Sequence, residues 1–160
     1  MNQNQELINR FYKAFQQRDW KTMQQCYHPE AHFSDPAFPG LNYLEVKVMW
    51  HMLCENAKDF SLQFSDVTSN HDKGSCNWQA WYTFSVTGRK VHNIIKADFR
   101  FKDGLIMQHT DTFNFWRWSR MAMGVTGSLL GWTPFFRSKV QSTARKSLAR
   151  FMKQHAPYSI

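Results

Sequence analysis

The hydrophobic period of the chain changes near Asp59. Before that point, apolar residues recur at helical spacing in ELINRFYKAFQQ and NYLEVKVMWHMLCENA, with the short segments DWKTMQQCYH and EAHFS between them. After it, FSLQFSDV, CNWQAWYTFSV, VHNIIKADFRF and LIMQHTDTFNFW alternate apolar and polar residues, which indicates strands. Helices and antiparallel strands segregated in this way predict an α+β fold. We expect a cone-shaped, curved, mostly antiparallel sheet wrapped around helices, with an interior pocket.

Local signals support these boundaries. Asp19 is a predicted N-cap of a short second helix, and the Asp35-Pro36 pair is predicted to end the first strand. The Asp103-Gly104 pair predicts a hairpin turn. Thr133 followed by Pro134 predicts the start of a final helix, because proline is tolerated at the first helical position.

Length and composition favour one globular domain. The 160 residues are 42% hydrophobic and contain no apolar run near the roughly 20 residues that span a bilayer. The N-terminal segment lacks the charged start and apolar core of a signal peptide. Cys26, Cys54 and Cys76 are an odd, scattered set, which indicates reduced thiols. These features predict a cytoplasmic protein.

The net charge of +8 is unevenly distributed. Residues 1–116 hold 12 Lys and Arg against 12 Asp and Glu, whereas residues 117–160 hold 8 Lys and Arg and no acidic residue. We therefore expect an α+β cone domain at residues 1–116 and a basic helical extension at residues 117–160 that packs on it.

Three segments together resemble a known superfamily. FYKAFQQRDWKTMQQCYHPEAHFSDP, GLNYLEVKVMWHML and FRFKDGLIMQHTDTFNFW are similar to the nuclear transport factor 2-like superfamily, in its SnoaL-like branch. That superfamily also contains ketosteroid isomerase and limonene epoxide hydrolase. The resemblance covers about residues 5–116. It implies the cone fold, but this fold hosts enzymes, ligand binders and protein-binding modules alike.

The resemblance implies catalytic positions. Asp35 matches the general base of ketosteroid isomerase, while Asp111 matches an acid that epoxide hydrolases and SnoaL-like cyclases use on the last strand. The two oxyanion donors of the isomerase fall on Phe11 and Ala97, whose side chains donate no hydrogen bond. Tyr12 is one residue away, as is Asp98, and we expect both to face elsewhere. Steroid isomerisation by that mechanism is therefore not favoured.

Alternation in the last strand places His109, Asp111, Phe113 and Phe115 on one face, which the resemblance makes the cavity face. We expect Asp35 to open into the same cavity. Carboxylates in an apolar pocket have raised pKa values, and a neighbouring histidine can hold a proton or orient a water. The predicted function is acid/base chemistry by Asp35, Asp111 and His109, as in an isomerase, cyclase or epoxide hydrolase, without a metal or organic cofactor.

The predicted ligand is a small hydrophobic molecule. The candidate ligand-binding residues are Phe11, Tyr12, Phe15, Trp50, Tyr82, Phe84, Ala97 and Phe113.

Each candidate also has a structural alternative. Asp35 can simply cap its turn, His109 and Asp111 can form a buried structural pair, and the aromatic residues can be core. The alternative functions are a noncatalytic binder of a small hydrophobic ligand and an interaction module that acts through the basic C-terminal helix. His28 and His32 lack a clear third ligand for a metal, and His51 is expected to be partly exposed on its helix.

Partner surfaces are predicted at two places. Trp81 lies on the second face of its strand, which favours a homodimer through the outer sheet face. Residues 133–155 place an apolar stripe beside basic residues. This helix can dock on the body or on a dimer partner, or it can contact an anionic membrane surface or an acidic partner. Contact with nucleic acid is a less favoured alternative.

Overall fold

The structure is a computed structural model that describes residues 1–158. In chain order its elements are α1 (Gln3–Gln16), α2 (Trp20–Gln25), β1 (Tyr27–Ser34), α3 (Tyr43–Asn56), β2 (Ser61–Ser69), β3 (Lys73–Phe84), β4 (Arg89–Lys102), β5 (Leu105–Thr112), α4 (Phe115–Met123), α5 (Val125–Leu130) and α6 (Pro134–Gln154). A 3₁₀ turn at Ala156–Tyr158 follows. The predicted α+β class is confirmed. Within this described part, no helix is both long and apolar enough to cross a membrane.

The sheet has five strands in the order β1-β5-β4-β3-β2 and does not close into a barrel. β1 pairs with β5 in parallel, and the other neighbours pair antiparallel, so the sheet is mixed but mostly antiparallel, as predicted. The parallel pairing places the first strand, which carries the Asp35 turn at its end, directly beside the last strand. Sequence-distant candidate residues therefore meet at this edge of the sheet.

Side-chain caps define the helices. Asn2 and Gln5 form a capping box at α1, and Asn42 and Glu45 form another at α3. The predicted caps at Asp19 and Thr133 are confirmed, since each side chain accepts a backbone N–H from the first turn.

The last strand is shorter than the alternation suggests. β5 ends at Thr112, and the side chain of Asn114 caps α4 by accepting the Arg117 N–H at 2.9 Å. The expectation that Phe113 and Phe115 continue the strand face is therefore wrong. Phe113 follows the strand, and Phe115 begins α4 and packs in a second hydrophobic cluster with Trp118 and Phe136.

The basic C-terminal helix packs on the body of the protein. Leu148 and Phe151 are buried in the main core with Tyr158, and α6 runs along α3. Gln141 Nε2 also donates to the Pro36 carbonyl at 3.0 Å, which joins α6 to the loop after Asp35. The docked arrangement thus exists within one chain. A homodimer through the outer sheet face stays a prediction, and Trp81 there stacks on His92 with ring centroids 4.6 Å apart.

Candidate acid/base site

A chain of hydrogen bonds runs through the core. Trp50 Nε1 donates to the Tyr27 hydroxyl at 2.9 Å, and that hydroxyl lies 2.6 Å from His109 Nδ1. His109 Nε2 lies 2.9 Å from Asp111 Oδ1, which also accepts Trp78 Nε1 at 3.4 Å. His109 and Asp111 come from β5, two residues apart on its buried face. The predicted pairing of these two side chains is confirmed as a contact.

The directions of these bonds define the histidine tautomer. The Tyr27 hydroxyl has one proton, and because it accepts from Trp50 it is free to donate to His109 Nδ1. His109 then carries its proton on Nε2 and donates to Asp111. Every donor in the chain points toward the Asp111 carboxylate. A proton on Nδ1 instead would leave the tyrosine hydroxyl without an acceptor in this arrangement.

Aromatic rings enclose the histidine. The centroids of Phe11, Phe33, Trp50 and Phe99 lie 4.4–6.0 Å from the His109 ring centroid, and His109 is fully buried. Phe11 and Trp50, together with Phe15, were predicted as ligand wall, and here they form part of the packed core. The imidazole therefore lies within the core, where its polar contacts are to Tyr27 and Asp111.

Asp35 lies where β1 ends, and one of its oxygens caps the following turn. Oδ1 accepts the Ala37 N–H at 2.7 Å and the Phe38 N–H at 2.6 Å. The turn-capping alternative is therefore present in the structure. Oδ2, in contrast, has no hydrogen-bond partner among residues 1–158. The hydrogen bonds to Oδ1 fix the orientation of the carboxyl, while Oδ2 remains able to accept a proton.

The surroundings of Asp35 make it more basic than an ordinary aspartate. Burial raises the pKa of its carboxyl to about 6, and the charge of Asp111 acts in the same direction. The two backbone N–H donors and His109 oppose this rise. Asp35 therefore lies within the electrostatic influence of Asp111 and His109.

Tyr12 was expected to turn to a different face from Phe11 and was also predicted as part of the ligand wall. Its ring is fully buried in the core and stacks on Phe64 with centroids 5.3 Å apart. Asp98, by contrast, is exposed as expected, with Lys96 3.4 Å away. The Tyr12 hydroxyl has no hydrogen-bond partner in the described chain. Burial, followed by the charge of Asp111, raises the pKa of Tyr12 well above its ordinary value.

The remaining predicted ligand residues lie in two places. Ala97 is buried directly opposite Asp111 in the β4–β5 register. Tyr82 and Phe113 are partly buried and pack against both hydrophobic clusters, and Phe84 packs against the second. Burial raises the pKa of Tyr82 to about 12, and the charge of Asp35 adds to the rise. Tyr82 thus lies at the junction of the two clusters.

Two members of the hydrogen-bond chain escaped the sequence argument. Tyr27 is the first residue of β1, where no alternation marks it, and Trp78 lies in β3, where the alternating pattern indicates a strand but not this contact. The parallel pairing of β1 with β5 brings Tyr27 to His109, 82 residues later. Such a pairing leaves no local signal. The one signal in the sequence for the contact between Tyr27 and His109 is the tyrosine itself, near the start of the first strand.

Two surface clefts, each of about 460 Å³, lie away from these residues. One is bordered by α1 and α2, and the other by the start of α4 and the start of α6. Neither is lined by Asp35, His109 or Asp111.

The fold and site can now be compared with known proteins. The sequence pattern of the SnoaL-like domain family matches residues 8–109, which is more than half of the chain. The chain belongs to the SnoaL-like domain family. The matched region contains Asp35 and ends at His109. Comparison with curated proteins found no significant match for this SnoaL-like chain.

Solved structures share the fold at low sequence identity. A candidate polyketide cyclase from Xanthomonas campestris is 17% identical, with a TM-score of 0.62 over 74% of this chain and 96% of that one. An LEH-like epoxide hydrolase from M. tuberculosis is 11% identical, with a TM-score of 0.63 over 80% and 96%. A nuclear transport factor 2-like protein of unknown function from Burkholderia pseudomallei is 16% identical, with a TM-score of 0.61 over 71% and 92%. These likenesses establish the nuclear transport factor 2-like fold of the SnoaL-like chain.

Two tyrosine-to-phenylalanine variants are expected to change stability in opposite directions. Tyr27→Phe leaves the Trp50 N–H and His109 Nδ1 without their partner, and should lower the free energy of unfolding by about 1–3 kcal/mol. Tyr12→Phe removes a buried hydroxyl that has no partner, and should raise it by about 1 kcal/mol. Urea denaturation of both variants measures the difference.

Each variant serves as the control for the other, because each removes one hydroxyl from a buried ring. Equal losses of stability in the two variants would contradict the hydrogen-bond chain. A large loss in Tyr12→Phe alone would show that its hydroxyl has a bound partner in solution.

Proposed function

We propose that this SnoaL-like protein is an acid/base enzyme that removes a proton next to a carbonyl, or activates water, on a small hydrophobic molecule. The observation that carries the proposal is the Asp35 carboxyl, whose pKa of about 6 suits a general base at neutral pH. Its Oδ1 is fixed by two backbone N–H groups, while Oδ2 has no partner in residues 1–158. Fixed orientation and matched basicity are the two requirements for general-base catalysis.

In this proposal Asp111 and His109 act indirectly, through their effect on Asp35. The negative charge of Asp111 disfavours the ionised form of Asp35 and thereby makes that form a stronger base. His109 orients Asp111 through its 2.9 Å contact, and Tyr27 orients His109. Asp35 is thus the catalytic residue, and Asp111 and His109 are positioning residues.

The substrate would lie at the junction of the two hydrophobic clusters. Tyr82 and Phe113 pack against both clusters and remain partly exposed, and Tyr82 interacts electrostatically with Asp35. Apolar walls beside one polar group suit a flat, apolar molecule with one oxygen function. The fold neighbours described as a candidate polyketide cyclase and an LEH-like epoxide hydrolase support this class of chemistry.

The first test measures proton abstraction directly. We expect the protein to accelerate hydrogen–deuterium exchange at the carbon next to the carbonyl of 2-tetralone in D2O, followed by proton NMR, or the hydration of styrene oxide. Asp35→Asn should reduce the rate at least about 100-fold, which is within the range that general-base catalysis contributes. The amide oxygen can still accept the turn N–H groups, so the fold should persist. The rate should rise with pH through about 6, because only the ionised carboxylate is a base.

Asp98→Asn is the matched control, because that carboxyl is exposed on β4, away from the Asp35 turn. An unchanged rate in Asp35→Asn would remove Asp35 from the mechanism. Binding of these probes without turnover in the wild type would favour the noncatalytic binder instead.

We propose a second role for the tail, contact with an anionic membrane surface. Five large apolar side chains around α5 and the start of α6 are 46–78% exposed, namely Val125, Leu129, Leu130, Trp132 and Phe135. Such a contiguous apolar surface is typical of an interaction site. Residues 117–160 around it contain no acidic residue. Apolar insertion combined with positive charge favours anionic lipid headgroups.

The membrane proposal predicts lipid-dependent sedimentation. The protein should sediment with vesicles that contain phosphatidylserine and should do so less with pure phosphatidylcholine or at high salt. Trp132→Ser combined with Phe135→Ser should weaken partitioning at least about tenfold, since each aromatic side chain buries substantial apolar area. Ile94→Ser, which changes an exposed apolar residue on β4, is the control. Equal binding by the double variant and by the Ile94→Ser control would contradict this role. If the wild type forms a concentration-dependent dimer and the double variant does not, the surface is instead assigned to a second copy of the chain.

A further inference from the structure

Two helices far apart in sequence bring three ligand-type side chains together. His51 and Glu55 lie one turn apart on α3, and His155 lies at the C-cap of α6. His51 Nε2 lies 3.2 Å from Glu55 Oε2, and His155 Nε2 lies 3.4 Å from the same oxygen. One atom from each of the three residues lies within 4.8 Å of the other two. The cluster is separate from the acid/base site and plays no part in it.

The two contacts to Glu55 match edges of a metal coordination tetrahedron. Zinc binds histidine nitrogen and carboxylate oxygen at about 2.0–2.2 Å in tetrahedral geometry, which puts ligand atoms about 3.3–3.5 Å apart. A charge-assisted hydrogen bond between the same groups would be shorter, at about 2.7–2.9 Å. Both contacts to Glu55 are therefore closer to the spacing of two ligands on one ion than to that of a direct ion pair.

The other ring nitrogens have the partners that metal-binding histidines use. His51 Nδ1 lies 3.0 Å from the Tyr158 hydroxyl, and His155 Nδ1 lies 2.8 Å from the Phe151 carbonyl oxygen. Such contacts orient the imidazole and direct Nε2 toward the ion. Stacking fixes both rings, His51 on Trp20 and His155 on Phe151, each with centroids 3.7 Å apart.

Burial differs across the cluster in a way that suits an ion with one open position. The side chain of His51 is 11% exposed, that of His155 27% and that of Glu55 52%. The expectation that His51 is partly exposed is wrong, because Phe151 and Tyr158 cover it. Solvent reaches the Glu55 side, where a water can complete a four-coordinate sphere.

We propose that His51, Glu55 and His155 bind one divalent transition-metal ion of the Zn²⁺ type, with a water as the fourth ligand. The ion joins α3 of the body to the end of α6. It thereby stabilises the docked position of the C-terminal helix. His51 and Glu55 alone are a common pair on a helix face, and His155, about 100 residues away, supplies the third ligand that local sequence spacing does not reveal.

The test uses the full chain without an affinity tag, stripped with EDTA and titrated with ZnCl2 by isothermal calorimetry. We expect one ion per chain, and visible absorption of the tetrahedral type when Co²⁺ replaces Zn²⁺. Glu55→Gln and His155→Ala should each weaken binding at least about tenfold. With Zn²⁺ at 100 times the wild-type Kd, the melting temperature of the wild type should rise by about 5–10 °C, and that of Glu55→Gln and His155→Ala should rise by less.

The matched control is His71→Ala, which removes a 98% exposed histidine that lies 2.7 Å from the Asp72 carboxylate. This variant should bind Zn²⁺ as the wild type does. Binding that is unchanged in Glu55→Gln and His155→Ala, or equally weakened in His71→Ala, would overturn the proposal, as would the absence of a stoichiometric site in the wild type. Because Glu55 is half exposed, Glu55→Gln keeps the fold and tests the ligand role alone.

Discussion

The buried contact between His109 and Asp111 is the constraint on which the rest of the site depends. An unpaired carboxylate in this core would be costly, so its Oδ1 is supplied with two donors, His109 at 2.9 Å and the Trp78 indole at 3.4 Å. His109 in turn accepts a hydrogen bond from Tyr27, and the Tyr27 hydroxyl accepts one from Trp50. Tyr27 reaches His109 because the first strand pairs with the last, in parallel. That pairing also brings Asp35, at the end of the first strand, under the influence of the Asp111 charge.

Much of the fold was predictable because its signals are local. The change of period near Asp59, the caps at Asp19 and Thr133 and the Asp103-Gly104 turn each mark an element within a few residues. In the hairpin turn, Asp103 and Gly104 both have positive φ, 53° and 73°. The contact of His109 with Asp111 was predictable for the same reason. The contacts of Tyr27 and Trp78 with this pair were not, because strand pairing depends on residues far away in sequence.

The C-terminal helix serves two surfaces. Its apolar stripe contacts α3, and Gln141 contacts the loop after Asp35, so the helix covers the body from the Asp35 turn to His51. Trp132, just before the helix, and Phe135, in its first turn, are exposed. Docking and surface contact were alternatives in the sequence, but they use different residues. Under the membrane proposal, α6 packs on the domain while the exposed apolar residues before it and in its first turn contact the anionic surface.

Burial and the charge of Asp111 raise the pKa of the Asp35 carboxyl to about 6, and the proposed chemistry depends on this pKa more than on any other property. Carbon-13 NMR of carboxyl-labelled aspartate, titrated from acid to neutral pH, measures it directly. We expect the pKa of Asp35 to be about 6 and to fall in Asp111→Asn, while Asp98→Asn leaves it unchanged. A pKa for Asp35 near 4 in the wild type, unaffected by Asp111→Asn, would contradict the account and leave Asp35 as a turn cap.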